Sequence, residues 1–264
     1  MIHNEDCLAT MERMEPGSID MILTSPPYDD LRKYKGYSFD FEGVARSMYR
    51  VLKEGGVAAW VVGDNTRDGC ESGTSHRQAC GFLDMGWLLS DTMIYEKASL
   101  SNPSANTYYQ MFEYILVLSK GKMATFNPIE DRPNVSAGDG GRGDLTTRMP
   151  DGSQRKTRDS KSRPVVKKMG RRFNIWRYHN AYMMGTKDKI AYAHPAMFPE
   201  KLAEDCIRSW SNPRELVYDP FMGSGTTAKA AANVGRRWVG SEISAEYCDI
   251  IRRRVRPGIQ EALV

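Results

Sequence analysis

The sequence predicts an α/β chain built on a doubly wound, mostly parallel sheet, and two strand–helix–strand units carry that prediction. In the first, the apolar run from Ile19 to Leu23 reads as a buried strand. Apolar residues then recur at Phe41, Val44, Ala45, Met48, Val51 and Leu52, the spacing of an amphipathic helix, and Val57–Val62 supplies a second apolar run. In the second, the run ending at Asp219 passes through Gly223-Ser224-Gly225 into an Ala-rich helix reaching Ala232, and Trp238-Val239-Gly240-Ser241-Glu242 follows as the next strand. Such units imply parallel strands joined by right-handed crossovers.

In chain order, a short opening over Ile2–Asp6 leads to a helix from Cys7 to about Met14, ended by Pro16-Gly17. Asp6 sits where a strand could end, so it reads both as a site residue and as a helix N-cap. After strand 19–24, Ser25-Pro26-Pro27-Tyr28 makes a rigid corner, because neither proline can donate to a sheet ladder. The corner holds a hydroxyl, free carbonyls and one ring, a set suited to a planar ligand that carries an amino group. The same four residues read equally as a turn that ends a strand. Residues 29–40 form a polar loop, and Gly55-Gly56 is expected to close the helix from Phe41. A polar loop over 64–75, a helix over 76–85 broken at Gly86, a strand at 92–95, a loop over 97–110 and a strand at 112–118 follow. These last two strands suit an antiparallel edge pair. Further on, His194-Pro195-Ala196-Met197-Phe198-Pro199 precedes a helix from Glu200 to Trp210, and a final helix starts at Ala245.

The 264 residues suffice for one large α/β domain with an insertion, or for two small domains. No apolar run approaches the roughly 18 residues of a membrane span. Met1–Asp6 has neither a basic n-region nor an apolar h-region, so no secretory signal is read. Five scattered cysteines without a Cys-x-x-Cys spacing read as reduced thiols of a cytoplasmic protein, not as a disulfide frame or a zinc site. No metal is expected.

Charge is concentrated in one internal segment. Between 142 and 172 stand eleven cations: Arg142, Arg148, Arg155, Lys156, Arg158, Lys161, Arg163, Lys167, Lys168, Arg171 and Arg172. Only Asp144, Asp151 and Asp159 oppose them, giving a local +8 in a chain whose total is +4. That is the electrostatic footprint of a polyanion partner, although charge runs are also simply solvated. The segment ends in Phe173, Ile175, Trp176 and Tyr178, which can stack or pack, and this favours nucleic acid. The Gly-rich stretch 138–143 is expected to be poorly ordered without that partner.

A strand, a Gly-x-Gly turn, a helix and a strand ending in an acid form a mononucleotide-binding half. Glu242, about twenty residues after the turn, can take two ribose hydroxyls. No third glycine of the dinucleotide type and no Gly-Lys-Ser/Thr follows, which disfavours NAD and ATP. Asp219 beside the turn would repel a pyrophosphate and suits a cationic, amino-bearing nucleoside such as S-adenosylmethionine.

Together these motifs resemble those of the amino-group DNA methyltransferases. Asp219-Pro220-Phe221-Met222-Gly223-Ser224-Gly225-Thr226 is similar to the family's motif I, Ser25-Pro26-Pro27-Tyr28 to its catalytic motif IV, and His194–Pro199 to its motif X. Their order here resembles the circularly permuted β-class. The resemblance covers nearly all of the chain except about 120–190. It implies a Rossmann-like methyltransferase fold with a seven-stranded sheet in the order 3-2-1-4-5-7-6, the Asp219 strand and strand 19–24 being neighbours at the switch point. It divides the chain into a catalytic half (1–120), a basic target-recognition insertion (121–190) and a donor-binding half (191–264).

By the same resemblance S-adenosylmethionine is the methyl donor, leaving as S-adenosylhomocysteine, and duplex DNA is the partner. Ser25, Pro26, Pro27 and Tyr28 would be catalytic. Asp6, reaching the donor's adenine amino group, with Cys7, Ser25, His194, Pro195 and Phe198 would line the donor pocket. Asp219, Pro220, Phe221, Gly223, Ser224, Gly225, Thr226, Glu242 and Ile243 would complete it. A homodimer and a cognate restriction endonuclease remain open as partners in a bacterial, archaeal or phage-encoded system.

The acceptor would be an exocyclic amine whose lone pair is delocalised into its ring. Acceptors at Ser25 and the Pro26 carbonyl can hold its two hydrogens and aim the lone pair. Tyr28 would stack on a base flipped from the duplex. No cysteine sits at the corner, so a ring-carbon methyltransferase is excluded. Ser-Pro-Pro-Tyr is, by resemblance, more frequent in N4-cytosine than in N6-adenine enzymes. The alternatives are an N6-adenine enzyme of the same class, an RNA or protein amide methyltransferase, and a DNA-binding protein that keeps the fold without activity.

Overall fold

Eight strands pair in one sheet whose winding reverses at its middle. The structure is a computed structural model and describes residues 1–27, 39–98, 106–138, 145–158, 165–179, 185–186, 188–193 and 197–255. Six of the residues named above as site residues, Tyr28, Arg142, Lys161, Arg163, His194 and Pro195, lie outside the described residues, as does most of the Gly-rich stretch. The chain divides into two compact units, Met1–Asn127 with Asn174–Val264, and Pro128–Phe173.

In the larger unit, β1 (Ile2–His3) leads into α1 (Cys7–Arg13), and β2 (Ile19–Thr24) into α2 (Phe41–Val51). β3 (Leu52–Val62) is followed by the small hairpin of β4 (Thr66–Arg67) and β5 (Cys70–Glu71), then by α3 (Thr74–Asp84), β6 (Leu88–Lys97) and β7 (Phe112–Ser119). The smaller unit carries β8 (Arg132–Pro133), β9 (Leu145–Arg148), β10 (Gln154–Arg158) and β11 (Met169–Gly170). The chain returns to the larger unit through β12 (Ile175–Tyr178), α4 (Glu200–Trp210), β13 (Leu216–Asp219), α5 (Thr226–Asn233), β14 (Arg237–Ser241) and α6 (Ala245–Arg254).

The sheet order is β1-β14-β13-β2-β3-β7-β6-β12. β13 pairs in parallel with β14 on one side and with β2 on the other, so the winding reverses between β13 and β2. β7 is the antiparallel member between β3 and β6. The first seven strands stand in the order expected, and β12 adds an eighth in parallel with β6. Its residues close the basic segment in the sequence. Alternation buries Trp176 and Tyr178 while Ile175 and Arg177 face outward. The Trp176 ring stacks on Trp210 at 6.1 Å and 13°, and the Tyr178 hydroxyl donates to Asp205 at 2.7 Å.

Packing follows the predicted faces. Val44, Ala45, Met48 and Val51 of α2 are buried, and Asp40 caps that helix by accepting from the Gly43 amide at 2.9 Å. Trp60 of β3 is fully buried among Phe39, Phe41 and Phe82. Its indole N–H donates to Gln78 at 2.9 Å, which satisfies the polar atom that burial would otherwise strand.

Two expectations need correction. Gly55-Gly56 does not close α2, which ends at Val51; both glycines lie inside β3, where the register with β2 slips between Ile19 and Met21. Gly55 sits at φ +75° against Ala124, so the position demands glycine for a bulge rather than a helix end. The strand predicted at 92–95 runs from Leu88 to Lys97. The exposed Ser90, Asp91 and Thr92 interrupt its apolar pattern and hide its first half.

The smaller unit pairs β9 with β10, and β8 with β11, in antiparallel fashion. It holds twelve Lys and Arg against six Asp and Glu, a net +6. Within it Lys167 pairs with Glu130 at 3.4 Å and Arg172 with Asp131. Both acids precede the segment counted from the sequence; with Arg132 and Asp139 they bring its +8 to the unit's +6. Arg132 lies over the Phe173 ring at 4.6 Å. Among the described residues, no helix is long and apolar enough to cross a membrane.

Gly55→Ala should destabilise the larger unit by about 1–3 kcal/mol, since a Cβ there would meet Ala124 at 2.7 Å in a left-handed backbone. Urea unfolding with an unchanged midpoint would contradict the bulge.

Candidate active site

Loops leaving the carboxyl ends of β1, β14, β13, β2 and β3 surround a cavity of about 970 Å³. Ligand sites in doubly wound sheets form at this place because the loops on either side of the reversal separate there. At one end of the cavity stand Asp6, Cys7, Phe198, Phe221, Gly223, Ser224, Glu242 and Ile243. Ser25, Pro26 and Pro27 follow at the end of β2, and beyond them come Asp64, Gln110, Glu113 and Lys97. The described parts of motifs IV and I thus share one cavity. Pro220 and Thr226 line it as well, whereas Gly225 lies in the turn behind.

The Gly-x-Gly turn is held through Glu242. One carboxylate oxygen accepts from the Gly223 amide and the other from the Ser244 amide, both at 2.8 Å. Each oxygen keeps a further lone pair for a ligand. Burial raises the Glu242 pKa against these two hydrogen bonds. Gly223 and Gly225 take φ +54° and +87°, a region glycine enters without penalty. Asp6 caps α1 by accepting from the Leu8 amide at 2.7 Å, and it also lines the cavity. Cys7 opens α1 against the cavity wall, and burial pushes its thiol up to about 12.

Asp219 is placed differently from its neighbours. It is 2% exposed and absent from the cavity lining. Its carboxylate accepts from the Thr24 and Thr227 hydroxyls, each at 2.6 Å, and from the Phe221 amide at 3.0 Å. It therefore ties the end of β2 to the first turn of α5 from behind the wall. Burial outweighs these three bonds and pushes its pKa from 3.8 to about 6.

Sequence reasoning missed part of the wall. Phe39 and Phe221 meet edge to face at 5.5 Å, and Phe39 stacks on Trp60. Asp64, at the end of β3, accepts from the Ser75 amide at 3.0 Å and the Ser72 hydroxyl at 3.1 Å, which folds the β4–β5 hairpin over the cavity. Its place just after an apolar run was the available signal. Lys97 and Glu113 pair at 2.6 Å; the β6–β7 register brings them together, and no local pattern announces it. Among the described residues, no group of three or more His, Cys, Asp or Glu is placed to hold a metal ion.

The raised pKa of Asp219 has a defined sign. The unfolded chain ionises it near 3.8 and the folded chain near 6, so its contribution to stability is full below about pH 4 and is lost as the pH rises through about 6. Urea unfolding of wild type against Asp219→Asn should show the difference shifting by about 2–3 kcal/mol across that window. A constant difference would contradict the buried carboxylate.

Comparison with known proteins agrees with this geometry. Residues 19–253 match the family model N6_N4_Mtase, described as DNA methylase. The chain is 54% identical over 239 residues, 90% of its length and 89% of the relative's, to "Orphan methyltransferase M.BamHII" of Bacillus amyloliquefaciens. It is 27% identical over 273 residues, 97% of its length and 82% of the relative's, to "DNA adenine methyltransferase YhdJ" of Escherichia coli strain K12. Its fold is similar to that of the PvuII DNA methyltransferase (cytosine-N4-specific), with a TM-score of 0.69 at 20% identity over 99% of this chain and 89% of that one. The chain belongs to the N6/N4 amino-group DNA methylase family.

Proposed function

We propose that the protein transfers the methyl group of S-adenosylmethionine to the exocyclic N4 of a cytosine flipped out of duplex DNA. The observation that carries this reading is the shared cavity, in which a carboxylate-lined end meets the Ser25-Pro26-Pro27 corner. Around the Gly-x-Gly turn the lining includes Glu5, Asp6 and Glu242, and among the described residues no Lys or Arg. That lining disfavours a phosphate and suits a cationic nucleoside. The donor supplies a methyl group on a positively charged sulfur, which is electrophilic without help from a metal.

The chain's own groups then have separate tasks. Glu242 has lone pairs to accept two ribose hydroxyls, Asp6 can accept an adenine amino group, and Phe198, Phe221 and Ile243 give apolar surface to the purine. Ser25 Oγ and the Pro26 carbonyl accept the two hydrogens of the target amine, which directs its lone pair into the cavity. Tyr28, read from the sequence, stacks on the flipped base. Burial raises the pKa of Cys7, Cys206 and Cys248, which makes these three poor thiolates. DNA is taken by the smaller unit, where Arg148, Arg155 and Lys168 are exposed. The name of the Bacillus amyloliquefaciens relative supports an enzyme that acts without a cognate endonuclease.

Serine at position 25 supports cytosine. The likeness to the Escherichia coli adenine methyltransferase favours a second reading, N6 of adenine, carried by the same corner. Nucleoside mass spectrometry of DNA methylated by the purified protein should show N4-methylcytosine. N6-methyladenine as the sole product would refute the base assignment, and methyl label in RNA or protein alone would refute the DNA reading. Ser25→Ala should lower kcat by about tenfold to a hundredfold while donor affinity holds, because the lost acceptor matters most as the amine pyramidalises.

Neutralising Arg148, Arg155 and Lys168 together should flatten the log–log salt dependence of DNA binding by about 0.9 per lost phosphate contact. An unchanged slope would remove these three from the interface.

A further inference from the structure

The other clamp on the Gly-x-Gly turn comes from α6. The Arg254 side chain is fully buried at the end of that helix. Its Nη1 donates to the Ser224 carbonyl and, at 3.2 Å, to the Ser224 hydroxyl. Its Nη2 donates to Glu200 at 2.6 Å and its Nε to Asp188 at 3.2 Å. Lys229 of α5 reaches the same two carboxylates, at 3.0 Å and 2.7 Å. Two cations and two anions drawn from α6, α5, the start of α4 and the segment before it therefore close into one cluster. Arg254 is the member of that cluster bonded to the turn.

Ser224 is the residue at stake. It lines the cavity and stands between Gly223 and Gly225, both at positive φ. A glycine-flanked residue gains little conformational preference from its neighbours, so its partners fix it. Glu242 holds the Gly223 amide from the cavity side, and Arg254 holds the Ser224 carbonyl from behind. The planar fork serves the carbonyl and the two carboxylates from three different nitrogens, whereas an ammonium group would have to serve all three from one atom.

We propose that Arg254 is a positioning residue for methyl-donor binding: through Ser224 it sets the shape of the Gly-x-Gly turn, with Glu200 and Asp188 holding its guanidinium in register. The proposal rests on reading this end of the cavity as the S-adenosylmethionine site. A role confined to stability would lower the unfolding midpoint without changing what the folded protein binds. A positioning role changes donor affinity in protein that is fully folded and leaves DNA affinity alone.

The test is calorimetric titration of the full-length protein with S-adenosylhomocysteine, below the unfolding transition, for wild type, Arg254→Lys and Glu200→Gln, with DNA affinity measured alongside. Arg254→Lys keeps the charge and loses the fork, and should weaken binding by roughly tenfold. Glu200→Gln keeps the bond to Ser224 and loosens its anchor, and should weaken binding by a smaller factor, about threefold. DNA affinity should stay within about twofold in both. Failure of wild type to bind S-adenosylhomocysteine would overturn the donor-site reading, and this proposal with it. Binding by wild type with an unchanged affinity in a folded Arg254→Lys would overturn the proposal alone. If Arg254→Lys does not fold, Glu200→Gln decides: unchanged affinity there overturns it.

Discussion

A buried carboxylate organises the centre of this molecule. Asp219 ends β13 at the line where the winding of the sheet reverses, and it is shut away from water. A charge in that position must find hydrogen-bond donors nearby, because leaving it unpaired costs more than the fold can carry. Its donors are Thr24 on one flank and Thr227 on the other. Through a carboxylate 195 residues from Thr24 in sequence, the pairing fixes the end of β2 against the start of α5. The Ser25-Pro26-Pro27 corner and the Gly-x-Gly turn open from those two ends. Their meeting in one cavity follows from what Asp219 requires.

The cavity's polarity follows from the same layout. Strand ends on the β1–β14 side bring carboxylates, and the aromatic cluster beneath β3 brings Phe39 and Phe221. A site acidic at one end and aromatic beside it suits a cationic nucleoside better than a nucleotide phosphate. The turn in this site is closed by the Gly225 amide, which donates to the Met222 carbonyl at 2.9 Å. Glu242 braces it through the Gly223 amide and Arg254 through the Ser224 carbonyl.

Much of this was legible in the sequence. Apolar runs broken by Pro-Pro and by Gly-x-Gly mark β2, β13 and the loops after them, and the motif order led to a strand order that the sheet reproduces. Asp219 shows where such reading stops. An acid at a strand end reads as a ligand, and only the fold reveals that two threonine hydroxyls take it up. Gly55-Gly56 reads as a helix end because a bulge and a cap ask for the same residue. Trp176 and Tyr178 follow a basic run and look like stacking groups, yet an alternating strand of four residues is too short to announce itself. The cluster around Arg254 draws on four separate segments, and no spacing connects them.

The central claim is that the link through Asp219 holds the acceptor corner in reacting position against the donor pocket. Single-turnover methyl transfer by Thr24→Val, at saturating donor and DNA, tests it most directly. The substitution keeps the shape of the residue and deletes one bond to the buried carboxylate. The account predicts a rate at least about tenfold slower, a barrier higher by about 1.4 kcal/mol or more, with donor and DNA affinities close to wild type. A folded Thr24→Val that transfers methyl groups at the wild-type rate would contradict it.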